Sequence, residues 1–93
     1  MIVDRKFKFL AVNPCNHNIY TEENAIVFVA KDAGLLPMLD RYLKFCENAG
    51  CDSNHIESVE LLMGRIRTFQ GREIKLPDTN TPCEIDRCIG GKL

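Results

Sequence analysis

The stretch FCENAGCDSNHIES, residues 45–58, decides how this chain is built. Gly50 has no Cβ and takes a left-handed backbone without penalty, which suits a helix stop. Asp52 and Ser53 carry the short polar side chains that cap a helix start. Read that way, the stretch is a joint between two helices. Read by residue type alone, Cys46-x4-Cys51-x3-His55 is a run of metal ligands. The flanking sequence chooses between the two.

Upstream, Leu35, Leu36, Leu39, Leu43 and Cys46 recur at three- and four-residue spacing, with Tyr42 beside them. Asp40, Arg41, Lys44, Glu47 and Asn48 fall on the other face, and Asp40 with Lys44 makes a favourable i, i+4 pair. Pro37 sits in the first turn, where a missing N–H costs nothing. This pattern predicts an amphipathic helix over residues 36–49. Downstream, Ile56, Val59, Leu62, Met63, Ile66 and Phe69 predict a second helix over 53–70. Glu57 and Glu60 near its start and Arg65 and Arg67 near its end suit the helix dipole. Gly64 inside it costs about 1 kcal/mol relative to alanine, and marks either a close neighbour or a tolerated glycine.

Toward the N-terminus, Lys6 to Val12 alternates, with Phe7, Phe9 and Ala11 on one side and Lys6 and Lys8 on the other. The turn-forming run NPCNHN follows, then Ile19 and Tyr20, so a β-hairpin is expected over 6–20. Thr21 with Glu22 and Glu23 resembles a capped helix start with acids in its first turn. The body AIVFVA prefers strands, but the cap, Ala30 and Ala33 tip the expectation to a helix over 22–33, ended by Gly34. Such a helix is apolar nearly all round and must be buried on more than one side. Glu73 to Leu76 reads as a short strand ended by Pro77, and 77–93 as an irregular tail. The fold class is α+β, mainly α. It comprises an N-terminal β-hairpin, a three-helix unit and an irregular C-terminal tail, with residues 1–76 as one compact domain.

Composition narrows the function. Of 93 residues, 45% are apolar and 27% charged, with a formal net charge of -1. That is a globular composition without the basic excess of a nucleic-acid binder, which gains affinity by displacing phosphate counterions. The longest apolar run, Ala25 to Ala30, is too short to span a membrane. The first residues lack the features of a secretory signal, and five cysteines is an odd number, so reduced thiols in a cytoplasmic protein are expected.

Five cysteines and two histidines give enough ligands for zinc, but no spacing repeats a close C-x2-C pair. Packing and surface roles are therefore favoured over a metal. The set to test is Cys15, His17, Cys51 and His55, which would need the hairpin loop near the helix joint. A helix-turn-helix reading puts Asn54, His55 and Ser58 toward DNA bases, but Glu57 and Glu60 would then face phosphate. Cys83 and Cys88 read as two loosely packed thiols. No Walker loop, G-x-S-x-G or H-E-x-x-H motif is present, so no catalytic or cofactor site is assigned. The preferred reading is a non-enzymatic protein–protein interaction module that self-associates through its helices, in the simplest case as a dimer. Its interaction surface is Ile26, Val27, Phe28 and Val29, too apolar for one wet face. The zinc module and the nucleic-acid binder stand behind it.

Overall fold

The structure is a computed structural model that describes residues 4–78. It is a small α+β fold, mostly helical, with one two-stranded antiparallel sheet and two helices. The described chain divides into two units: first the residues 4–27 with Asp78, and second Phe28–Pro77.

In the first unit, β1 (Leu10–Val12) pairs with β2 (Ile19–Thr21) in the register Leu10 opposite Thr21 and Val12 opposite Ile19. The strand is shorter than the expected Lys6–Val12, because pairing reaches only as far as β2 extends. Two asparagines shape the turn. Asn13 Oδ1 accepts from the Cys15 N–H and Asn16 Oδ1 from the Asn18 N–H, while Asn13 N–H donates to the Asn18 carbonyl at 2.9 Å. His17 takes the left-handed conformation, with φ 64°. Exposed ion pairs join Arg5 to Glu23, Lys6 to Asp78 and Lys8 to Glu22. Glu22 is held below the ordinary carboxyl value, first by its own backbone N–H and then by Lys8.

The expected helix over 22–33 is absent, leaving two helices rather than three. The cap itself is real. Thr21 Oγ1 accepts from the Glu23 N–H, and Asn24 Oδ1 accepts from the Thr21 N–H at 2.9 Å, the reciprocal pattern of a capping box. One turn forms over 22–24 and stops. Ile26, Val27 and Val29 follow, and β-branched side chains lose rotamer freedom in a helix, so nothing propagates the turn.

In the second unit, α1 (Leu35–Ala49) and α2 (Ser53–Gln70) form a helical hairpin with nearly the expected bounds. Asp32 leads into α1, accepting the Gly34 N–H on its side chain and the Leu35 N–H on its carbonyl. Gly50, at φ 75°, ends α1 in a Schellman turn, with Cys51 N–H donating to the Cys46 carbonyl and Gly50 N–H to that of Glu47. Asp52 caps α2 through the Asn54 N–H. Leu35 and Cys46 of α1 are buried with Val59, Met63 and Ile66 of α2.

Gln70 anchors the far end. Its Nε2 donates to the carbonyls of Ala30 and Asp32 at 2.9 and 2.8 Å. Beside it the expected strand at 73–76 is reduced to a single parallel bridge between Asp32 and Lys75, closed by Lys75 N–H to Lys31 and Ala33 N–H to Lys75. Only Pro77 and Asp78 of the expected tail are described, both exposed; the remainder lies outside the described residues.

Three substitutions test this scheme by urea unfolding. Gly64 has open space where a Cβ would go, so it marks no close neighbour, and Gly64→Ala stabilises by about 0.5–1 kcal/mol. Gly50→Ala costs about 1 kcal/mol, since only glycine takes a left-handed backbone freely. Gln70→Ala strips the Ala30 carbonyl of its partner, leaves the Asp32 carbonyl with the Leu35 N–H alone, and costs about 1–3 kcal/mol.

Candidate functional site

The joint between α1 and α2 gathers the chemistry-bearing side chains of the second unit. Cys46 is 1% exposed, on the α1 turn whose carbonyl receives the Cys51 N–H, and Cys51 is half-buried. These two residues fill the places where a Schellman turn makes its apolar contact across the stop. One turn before Cys46, the Tyr42 hydroxyl lies 3.0 Å from His55 Nε2. The two rings meet edge to face, with centroids 6.0 Å apart and an interplanar angle of 83°.

The electrostatics favour neutral forms. Burial raises the Cys51 thiol above its ordinary value, and the Cys46 sulfur beside it adds to the rise. Tyr42 is raised too, first by its interaction with the Cys46 sulfur and then by burial. A nucleophilic thiol needs the opposite arrangement, with thiolate favoured by a nearby cation or base. The cluster closes a turn and suppresses ionisation.

The candidate metal ligands are distributed over both units. Cys15 and His17 lie in the exposed hairpin loop, while Cys51 and His55 lie at the joint, where His55 Nε2 already meets Tyr42. Among the described residues, no three His, Cys, Asp or Glu side chains are grouped so as to hold a metal. Of the base-reading candidates, the Ser58 hydroxyl donates to the His55 carbonyl at 2.7 Å, and the Asn54 N–H serves the Asp52 cap. The surface at Ile26, Val27, Phe28 and Val29 is not helical; Ile26 is 78% and Phe28 44% exposed, and Val29 is half-buried.

Sequence reasoning missed Tyr42 as the partner of His55, although an aromatic beside the apolar stripe was a visible signal. It also missed the solvent-facing row Met38, Tyr42 and Phe45, where Phe45 is 67% exposed. Among the described residues, no helix is long and apolar enough to cross a membrane. Compared with protein-family models, curated proteins and solved structures, the chain matches none.

Thiol labelling read by peptide mass spectrometry checks the joint. Exposed Cys15 reacts first, Cys51 at least about tenfold more slowly, and Cys46 only as the helices open. Stability follows the same groups. A thiol and a phenol held above their ordinary values of 9.0 and 10.0 stabilise the fold fully below those values. The contribution is lost as pH rises through the folded values, so the urea midpoint falls at alkaline pH. Tyr42→Phe combined with Cys51→Ala flattens that fall.

Proposed function

We propose that the chain is a non-enzymatic protein–protein association module that forms a homodimer through the segment Ile26–Val29. One observation carries this reading. Ile26, Val27 and Phe28 expose apolar side chains, and none of the three has a backbone hydrogen bond to the described chain. Unpaired N–H and C=O groups on a β-branched stretch are a template for strand pairing, and a second copy supplies the complementary edge across a two-fold axis. Burying the same side chains on both copies removes apolar surface from water while satisfying the backbone. The free thiols suit a reducing, cytoplasmic setting.

Sedimentation velocity over a concentration series tests the proposal. The unmodified chain is expected to pass from monomer to dimer. Ile26→Asp removes the dimer by placing charge in the contact, and Val27→Pro removes it by deleting a backbone donor. Helix content by circular dichroism stays constant in both, since neither position is helical. A monomer at every concentration sinks the reading. A dimer that survives Val27→Pro but not Ile26→Asp would reject strand pairing in favour of side-chain contact alone.

A further inference from the structure

The helical hairpin carries a second surface, independent of the Ile26–Val29 segment. At about 100° per residue, Met38, Tyr42 and Phe45 lie on one flank of the buried α1 stripe. Leu62 lies on the flank of α2 that also bears His55. The Tyr42–His55 contact brings those two flanks to the same side of the hairpin. Met38, Tyr42, Phe45 and Leu62 are all exposed there, forming an apolar face between the helix axes. Met38 to Phe45 spans about 10 Å, two helical turns.

The borders of this face are charged with one sign. Arg41 lies just outside Phe45 on α1, and Arg65 just outside Leu62 on α2, both exposed. Among the described residues, neither arginine has an ion-pair partner. The helical carboxylates Asp40, Glu47, Glu57 and Glu60 project from other faces of the two helices. A second copy would present the same face, with arginine borders and no carboxylate to answer them. The complementary occupant has an apolar stripe flanked by acids.

We propose that this face seats an amphipathic helix of a partner protein whose borders are acidic. Leucine-like anchors at i, i+3/i+4 and i+7 would lie between Met38, Tyr42, Phe45 and Leu62, as in other helix-in-groove contacts. Glutamates or aspartates beside them would meet Arg41 on one border and Arg65 on the other. The arginines set which helix binds, and the apolar row supplies the seat.

Fluorescence anisotropy with two labelled helical peptides of about eighteen residues tests this. Both carry the same leucine stripe; one has glutamate borders and the other lysine borders. The acidic peptide is expected to bind at least about tenfold more tightly, and the double variant Arg41→Glu/Arg65→Glu to reverse the order. Phe45→Ser weakens the acidic peptide while leaving the helix content unchanged, because the side chain is exposed. Amide shifts on binding fall within 38–45 and 55–65. Equal affinity for the two peptides would overturn the proposal, as would shifts confined elsewhere. Displacement of the acidic peptide by an equal charge of polyglutamate or duplex DNA would also overturn it, by reducing the contact to charge alone. So would a dimer of the chain that Phe45→Ser dissociates, since a second copy would then occupy the face.

Discussion

The left-handed turn at Gly50 is the constraint on which the helical hairpin depends. Its two backbone hydrogen bonds, Cys51 to Cys46 and Gly50 to Glu47, stop α1 and aim the chain back on itself. With Asp52 capping only two residues later, α2 has no freedom to leave. The short connection makes the helices antiparallel neighbours and sets which turns meet. Cys46 comes to rest beside Cys51, and Tyr42 beside His55. A longer connection would allow the same apolar stripes to slide past each other by a turn.

The same turn gives the two cysteines of the run a packing role. Cys46 and Cys51 occupy positions where a Schellman turn needs small apolar groups, and a thiol meets that need because free cysteine packs as a small hydrophobe. Both sulfurs are covered enough to disfavour charge on Cys51 and on the neighbouring phenol. At this turn the half-buried Cys51 thiol keeps its proton to higher pH than a free one.

Much of this was legible because α1 and α2 are punctuated at both ends. Apolar spacing, Pro37, Gly50 and Asp52 agree with one another, and agreement across levels locates an element to within a residue. Residues 22–33 lacked that agreement. The Thr21–Asn24 cap is a local signal that forms locally, but a helix persists only if the following residues propagate it and a surface receives it. Here Ile26, Val27 and Val29 withhold the first, and the exposure of Ile26 and Val27 shows that the second is missing. The Gln70 anchor was illegible for a different reason: a carboxamide at a helix end gives no hint that it reaches carbonyls nearly forty positions earlier. The candidate surfaces fall between these cases. Met38, Tyr42, Phe45, Arg41 and Arg65 can each be placed on a helical wheel. The sequence does not say which flank of α1 lies beside which flank of α2, and only the Tyr42–His55 contact decides it.

That flank relation bears on why the hairpin is left incomplete. The apolar arc of α1, from Phe45 through Cys46 to Leu43, covers about half its circumference. A single neighbouring helix covers a stripe of about 100°, and α2 takes the part centred on Leu35 and Cys46. On one side of that stripe Leu36 and Leu43 are half-buried. On the other side, Met38, Tyr42 and Phe45 are exposed, although Met38 and Phe45 could have been polar at no cost to the joint. Scattered exposed apolar residues are ordinary on protein surfaces, but these three follow helical spacing and lie between arginines left without carboxylate partners. A row kept apolar for packing within the chain would be buried, and one kept for solubility would not be apolar. On the proposed reading, another helix covers this row, and the charge at its borders restricts which helix that is.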